Sequence, residues 1–146
     1  LPPEARPTSV HFGPDIVTLE GYTTKFRADE ENNFLEVLLF WRNGDAPVTR
    51  DLLVRVNLMN ADGQPVYAIL DQPGEKLFPS QSWTPGMLLV DRYALKRPIP
   101  AAGTYTVTVT LFDSSADDPL PATSDSGAPL ADSTFVIPSI PVPSVP

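Results

Sequence analysis

A chain of 146 residues is long enough for one domain, burying about two-thirds of the surface exposed when unfolded. Its net charge of −8, pI near 4.4 and ten dispersed Lys and Arg residues, of which Lys96 and Arg97 alone are adjacent, work against the clustered basic surface that nucleic acid or anionic lipid needs. The absence of cysteine removes disulfides, thiol catalysis and thiolate metal sites together, and leaves the compartment open.

No apolar run reaches the roughly 18 residues needed to span a bilayer, so membrane insertion by this chain is not expected. No signal peptide is visible, and the first residue is Leu1 rather than Met. A processed or excised fragment is therefore expected, one from which a signal or anchor could have been removed.

In chain order, "LPPEARPTS" is proline-rich and reads as an extended arm over residues 1–8. Weaker strands are predicted at 9–12 and 15–24. In "FLEVLLFWRN" the side chains of Leu35, Val37, Leu39 and Trp41 share one face. The opposite face, Glu36, Leu38, Phe40 and Arg42, is mixed, as in a strand covered on both sides. "DLLVRVNLMN" repeats the pattern with Leu52, Val54, Val56 and Leu58.

"NADGQ" then carries an Asp-Gly pair, the strongest short-range hairpin signal, and joins 52–59 to a strand at 65–70. Another weak strand is predicted at 87–95. The clearest is 104–112, with Tyr105, Val107, Val109 and Leu111 on one face and threonines on the other. A last strand at 133–142 runs into the proline-rich end "IPSIPVPSVP".

Reversals at "RNGDAP", "DQPG", "TPG" and "PAAG" have the close spacing of an all-β protein rather than of βαβ units. The predicted fold is an antiparallel two-sheet β-sandwich, jelly-roll or immunoglobulin-like, of about eight strands. The sandwich would occupy 9–137, and 138–146 would be its closing strand end and a C-terminal arm. That arm is expected either to be a linker or to pair with a neighbouring subunit by strand addition, through Ile137, Ile140, Val142 and Val145.

The order of segments resembles a known family. "VHFGPDIVTLEGY", "LEVLLFWRN", "VNLMNADGQPVYAILDQPG", "PSQSWTPGMLLVDRYAL", "PAAGTYTVTVTLFD" and "LPATSDSGAPLADSTFVIPSIPV" are similar, in order and spacing, to the extracytoplasmic C-terminal β-sandwich domain of bacterial multi-pass membrane glycosyltransferases. These are of the protein-mannosyltransferase-like class, and related cell-envelope proteins share the domain. The membrane-embedded catalytic part has no counterpart here, so glycosyl transfer is not carried over. The resemblance implies a non-catalytic sandwich outside the cytoplasmic membrane, at the cell surface or secreted.

Catalytic chemistry is poorly supplied. His11 is the single histidine, so a nucleophile–base pair or a His-rich metal site is hard to assemble, and a structural role is expected for it. Asp71 and Asp91 are the mid-domain carboxylates that a glycosidase-like reaction could pair; the simpler expectation is that they cap backbone. "DSSADD" offers Asp113, Asp117 and Asp118 as weak calcium ligands, without the glycine or closing glutamate of an EF-hand loop. No cofactor is expected.

Carbohydrate binding needs an aromatic platform with flanking polar groups, and Trp83, Tyr93, Tyr67 and Tyr22 are the aromatics considered for it. Trp83, Asp91, Tyr93 and Tyr67 are carried as the candidate ligand site. The competing expectation makes Trp83 the cover of a sandwich corner, pairs Asp91 with Arg92 or a backbone donor, and places Tyr93 at the core edge. The functional expectation is a binding or presentation module, not an enzyme, with a glycan or cell-surface protein as partner. The alternative is a structural subunit of a surface layer or filament that self-associates through its arms.

Overall fold

The computed structural model describes residues 1–13, 16–28, 33–44, 51–71, 84–95, 101–114 and 118–143. Strands β1 (Arg6–Phe12), β2 (Val17–Ala28), β3 (Asn33–Asn43), β4 (Leu52–Met59), β5 (Pro65–Asp71), β6 (Leu88–Leu95), β7 (Gly103–Asp113), β8 (Ala122–Ser124) and β9 (Phe135–Val142) follow in order. They form a five-stranded sheet, β6-β3-β2-β1-β8, and a four-stranded sheet, β5-β4-β7-β9, antiparallel throughout. The fold is the expected two-sheet sandwich. The additional strand, β8, has three residues, too few to display a period-2 pattern.

Alternation places the core. Leu35, Val37, Leu39 and Trp41 from β3 meet Val54, Val56 and Leu58 from β4 and Val107, Val109 and Leu111 from β7, and all are buried. Phe12 meets Trp41 edge to face, with centroids 5.6 Å apart at 67°, a favoured geometry for aromatic pairs. The β4–β5 reversal is built by Asn60, whose Oδ1 accepts from the amides of Asp62 (3.0 Å) and Gln64 (2.9 Å). Gly63 takes the positive φ of 78° that this turn requires.

Both arms are more ordered than their proline content suggests. Arg6 and Pro7 already pair with Tyr22 and Gly21, so the sandwich begins before residue 9. A Cβ on Gly21 would lie 3.0 Å from the Arg6 carbonyl oxygen and 3.2 Å from Leu1 Cδ1, so a side chain there would crowd the closely laid N-terminal segment. At the other end β9 is an edge strand, where proline is tolerated because one side of the backbone needs no ladder donor. The register shifts between Tyr105↔Ile140 and Val107↔Ile137, and Ser139 sits at φ 58° in that irregularity. The extra residue returns Ile137, Ile140 and Val142 to the core, where each is buried.

A chain ending at Ser139 therefore loses two core side chains, Ile140 and Val142. The expected cost is about 3–6 kcal/mol, read as a lower denaturation midpoint in urea, with no change in the oligomeric state of the folded fraction in light scattering.

Candidate ligand-binding site

The described residues of the predicted site do not assemble on the surface. Asp91 and Tyr93 share the inward phase of β6 with Leu89 and Leu95; Asp91 is 1% exposed and Tyr93 4%. The Tyr93 hydroxyl donates to Asp91 Oδ2 at 2.6 Å, so this pair solves a burial problem and is not presented to a ligand. Arg92 points to the other face and bonds Glu36 instead. Tyr67 lies opposite Leu58 and packs against the core, and Tyr22 packs edge to face on Phe135. Trp83 is outside the described residues.

The Pro-Gly corner beside it is pinned to the end of β3. Asn43 Nδ2 donates to the Thr84 carbonyl (2.7 Å), the Asn43 amide to Met87 (2.8 Å), and Arg42 Nη1 to Gly86 (2.9 Å).

The remaining candidates are also dispersed. Asp71 lies opposite Val54 in the four-stranded sheet, whereas Asp91 belongs to the other sheet and is sealed from solvent; a sealed carboxylate cannot reach a glycosidic bond. Asp113 pairs with Leu52 in the ladder and Asp118 is exposed, Asp117 is outside the described residues, and no three His, Asp or Glu side chains among the described residues gather as a metal site. Of the assembly candidates, Ile137, Ile140 and Val142 fill the chain's own core, which removes them from an intersubunit contact; Val145 is outside the described residues.

His11 makes the contacts of a proton relay. Its Nε2 lies 3.0 Å from Asp125 Oδ1 and its Nδ1 3.0 Å from Thr18 Oγ1. With Asp125 accepting from Nε2–H, the neutral ring accepts from the threonine hydroxyl. Ser9 donates to the same Asp125 oxygen at 2.9 Å, and the His11 and Ser9 hydrogen bonds hold the Asp125 carboxyl below its usual range. The group is solvent-open, with the Asp125 side chain 77% exposed, and it clasps β1 to β2 and to the turn after β8.

A richer site lies on the outer face of the five-stranded sheet. On β3, Phe34 and Glu36 share the outward phase; Arg27 pairs with Phe34 and Lys25 with Glu36 across the β2–β3 ladder. Glu36 is 6% exposed, so its charge must be neutralised locally. Arg27 Nη2 donates to Oε1 at 3.0 Å and Arg92 Nε to Oε2 at 2.9 Å.

Burial alone would raise the Glu36 carboxyl, but the hydrogen bonds and charges of Arg27 and Arg92 outweigh it and hold it below the usual range. Both guanidiniums remain about half exposed, at 47% and 48%, and keep unused N–H donors. Arg92 also lies over the Phe34 ring, 5.7 Å from its centroid. Beside this cluster is a hollow of about 370 Å³ lined by Lys25, Phe26, Arg27, Ala28 and Phe34.

The sequence did carry one signal for this site, an acid in the middle of a strand expected to be covered on both faces. Its partners on β2 and β6 are fixed only by register. No protein-family model and no curated protein sequence matches the chain.

Glu36→Gln tests the cluster. The neutral amide leaves two guanidiniums with weaker acceptors, an expected loss of about 1–2 kcal/mol near neutral pH. Because the folded carboxyl is depressed, its contribution is fully present above the unfolded pKa and is lost as pH falls through the folded value. Denaturation curves of the two proteins should therefore converge as the pH falls below the usual glutamate range and through the depressed folded value; a gap that persists unchanged into acid would show that the ion pairs do not stabilise the fold.

Proposed function

We propose that the chain is a non-catalytic carbohydrate-binding module of the bacterial cell envelope, working outside the cytoplasmic membrane, and that the hollow beside Phe34 holds its saccharide. The observation that carries this reading is the lining of the hollow: the Phe34 ring beside the Lys25 ammonium and a guanidinium that Glu36 holds in place. Sugar C–H faces pack on rings while hydroxyls require placed hydrogen-bond partners, the mixture typical of small-molecule sites.

Arg27 and Arg92 cannot swing freely, because Glu36 holds both, so less side-chain entropy is lost on binding. The extracytoplasmic setting is supported by the resemblance of the ordered segments to the glycosyltransferase-associated sandwich.

Affinity electrophoresis in native gels containing soluble neutral polysaccharides tests the reading. Retardation of the intact chain by at least one polymer, reduced about tenfold in apparent affinity by Phe34→Ala, is expected. Phe34 is half-buried on the outer face, so the thermal transition of the variant should remain cooperative. Equal retardation of variant and parent, or none by any polymer, would overturn the assignment.

A further inference from the structure

A second cleft lies on the opposite side of the sandwich, on the outer face of the four-stranded sheet. It encloses about 400 Å³ and is lined by Met59, Asn60, Ala61, Gly63, Thr104, Thr106, Thr108, Pro138 and Ser139. Its floor is β7, whose outward side chains are the threonines. One wall is the end of β4 with the turn that Asn60 builds, and the other is the irregularity of β9 at Pro138 and Ser139. Two local departures from regular sheet thus turn a flat face into a groove, and one of them holds Ser139 in the left-handed region at φ 58°, a conformation that costs a non-glycine residue energy.

We infer that this groove is a second binding site, for an uncharged polyhydroxylated chain such as a neutral oligosaccharide, which makes the domain two-faced. The lining decides the ligand class. In a chain with 19% charged residues, no lining residue is ionisable, so an ion gains nothing there. Thr110 spends its hydroxyl on Thr134 at 3.1 Å, whereas among the described residues no side-chain hydrogen bond engages Thr104, Thr106 or Thr108.

Threonine hydroxyls both donate and accept, matching ligand hydroxyls in either sense, while Met59, Ala61 and Pro138 offer apolar surface for C–H faces. Alternate residues on a strand rise about 6.6–6.8 Å, so the three hydroxyls span about 13 Å, the length of an extended chain rather than of one small molecule. A peptide is the poorer occupant. β7 is hydrogen-bonded to β4 on one side and β9 on the other, so the floor has no unpaired backbone for strand addition.

The test uses the full chain, isotopically labelled, and follows backbone amide shifts during titration with neutral gluco- and manno-oligosaccharides of four to six units. Shifts are expected at Thr104, Thr106, Thr108 and Ser139, separately from any set around Phe34. The double variant Thr106→Val with Thr108→Val keeps β-branched shape but removes two hydroxyls, and should weaken the threonine set about tenfold or more. Thr106→Ser with Thr108→Ser should restore it.

Shifts confined to the Phe34 set, a threonine set that survives the valine pair unchanged, or no shifts with any oligosaccharide would each overturn this inference. Shifts confined to the threonine row would uphold it while overturning the assignment of the Phe34 hollow.

Discussion

The structure depends on burying β3 on both faces. The strand is hydrogen-bonded to β2 on one side and β6 on the other; its inward side chains, Leu35, Val37, Leu39 and Trp41, form the centre of the core, and two of its outward side chains, Glu36 and Phe40, are buried as well. A carboxylate at such a position costs several kcal/mol if left without partners. The two flanking strands supply them, through Arg27 and Arg92. The charged rim of the Phe34 hollow is thus a direct consequence of how the central strand is covered. Phe40 has the parallel solution: its register partner is Gly21, whose missing side chain leaves room for the N-terminal segment to lie close over the sheet.

What the sequence made legible followed from periodicity. A strand repeats its side-chain direction every two residues, so "FLEVLLFWRN" and "TYTVTVTLF" declared both their conformation and their buried face without knowledge of any neighbour. The same rule correctly applied to "LLVDRYAL" would have sent Asp91 inward with Leu89, Tyr93 and Leu95. The expectation that Asp91 caps backbone or pairs with Arg92 rests on the local habits of aspartate instead, and a lone inward carboxylate is costly. Tyr93 removes that objection two residues away. In the closing segment, proline content suggested an arm, while the spacing of Ile137, Ile140 and Val142 is out of phase for a regular strand. The irregularity at Ser139 restores the phase, and a bulge of that kind is not visible in composition.

The candidate site was hidden for a different reason. Arg27 and Arg92 are separated from Glu36 by 9 and 56 residues in sequence, and the pairing of β3 with β6 is long-range. Until the strand order was known, each of these arginines was one more scattered basic residue in an acidic chain. The His11 group shows the converse. Thr18, His11 and Asp125 are joined in a line of two 3.0 Å contacts, a connectivity that acid–base catalysis uses. Relay connectivity alone is not a catalytic site: low-dielectric enclosure strengthens electrostatic stabilisation of a transition state, and this carboxylate is open to water.

Placing one saccharide site on each outer face has a geometric consequence. Two sheets packed face to face stand about 10 Å apart, and the sites look away from each other across that thickness. A single short chain bound at Phe34 cannot bend around the sandwich to reach the threonine row, so the second site adds no effective concentration for the same ligand. Each face would instead hold a different chain, and avidity would arise only where many chains lie together, as on a glycan-covered surface. Weak individual contacts would suit that arrangement. The threonine groove has no aromatic ring in its lining, and a module with two shallow, oppositely directed sites would bridge separate polymers while exchanging readily at each face.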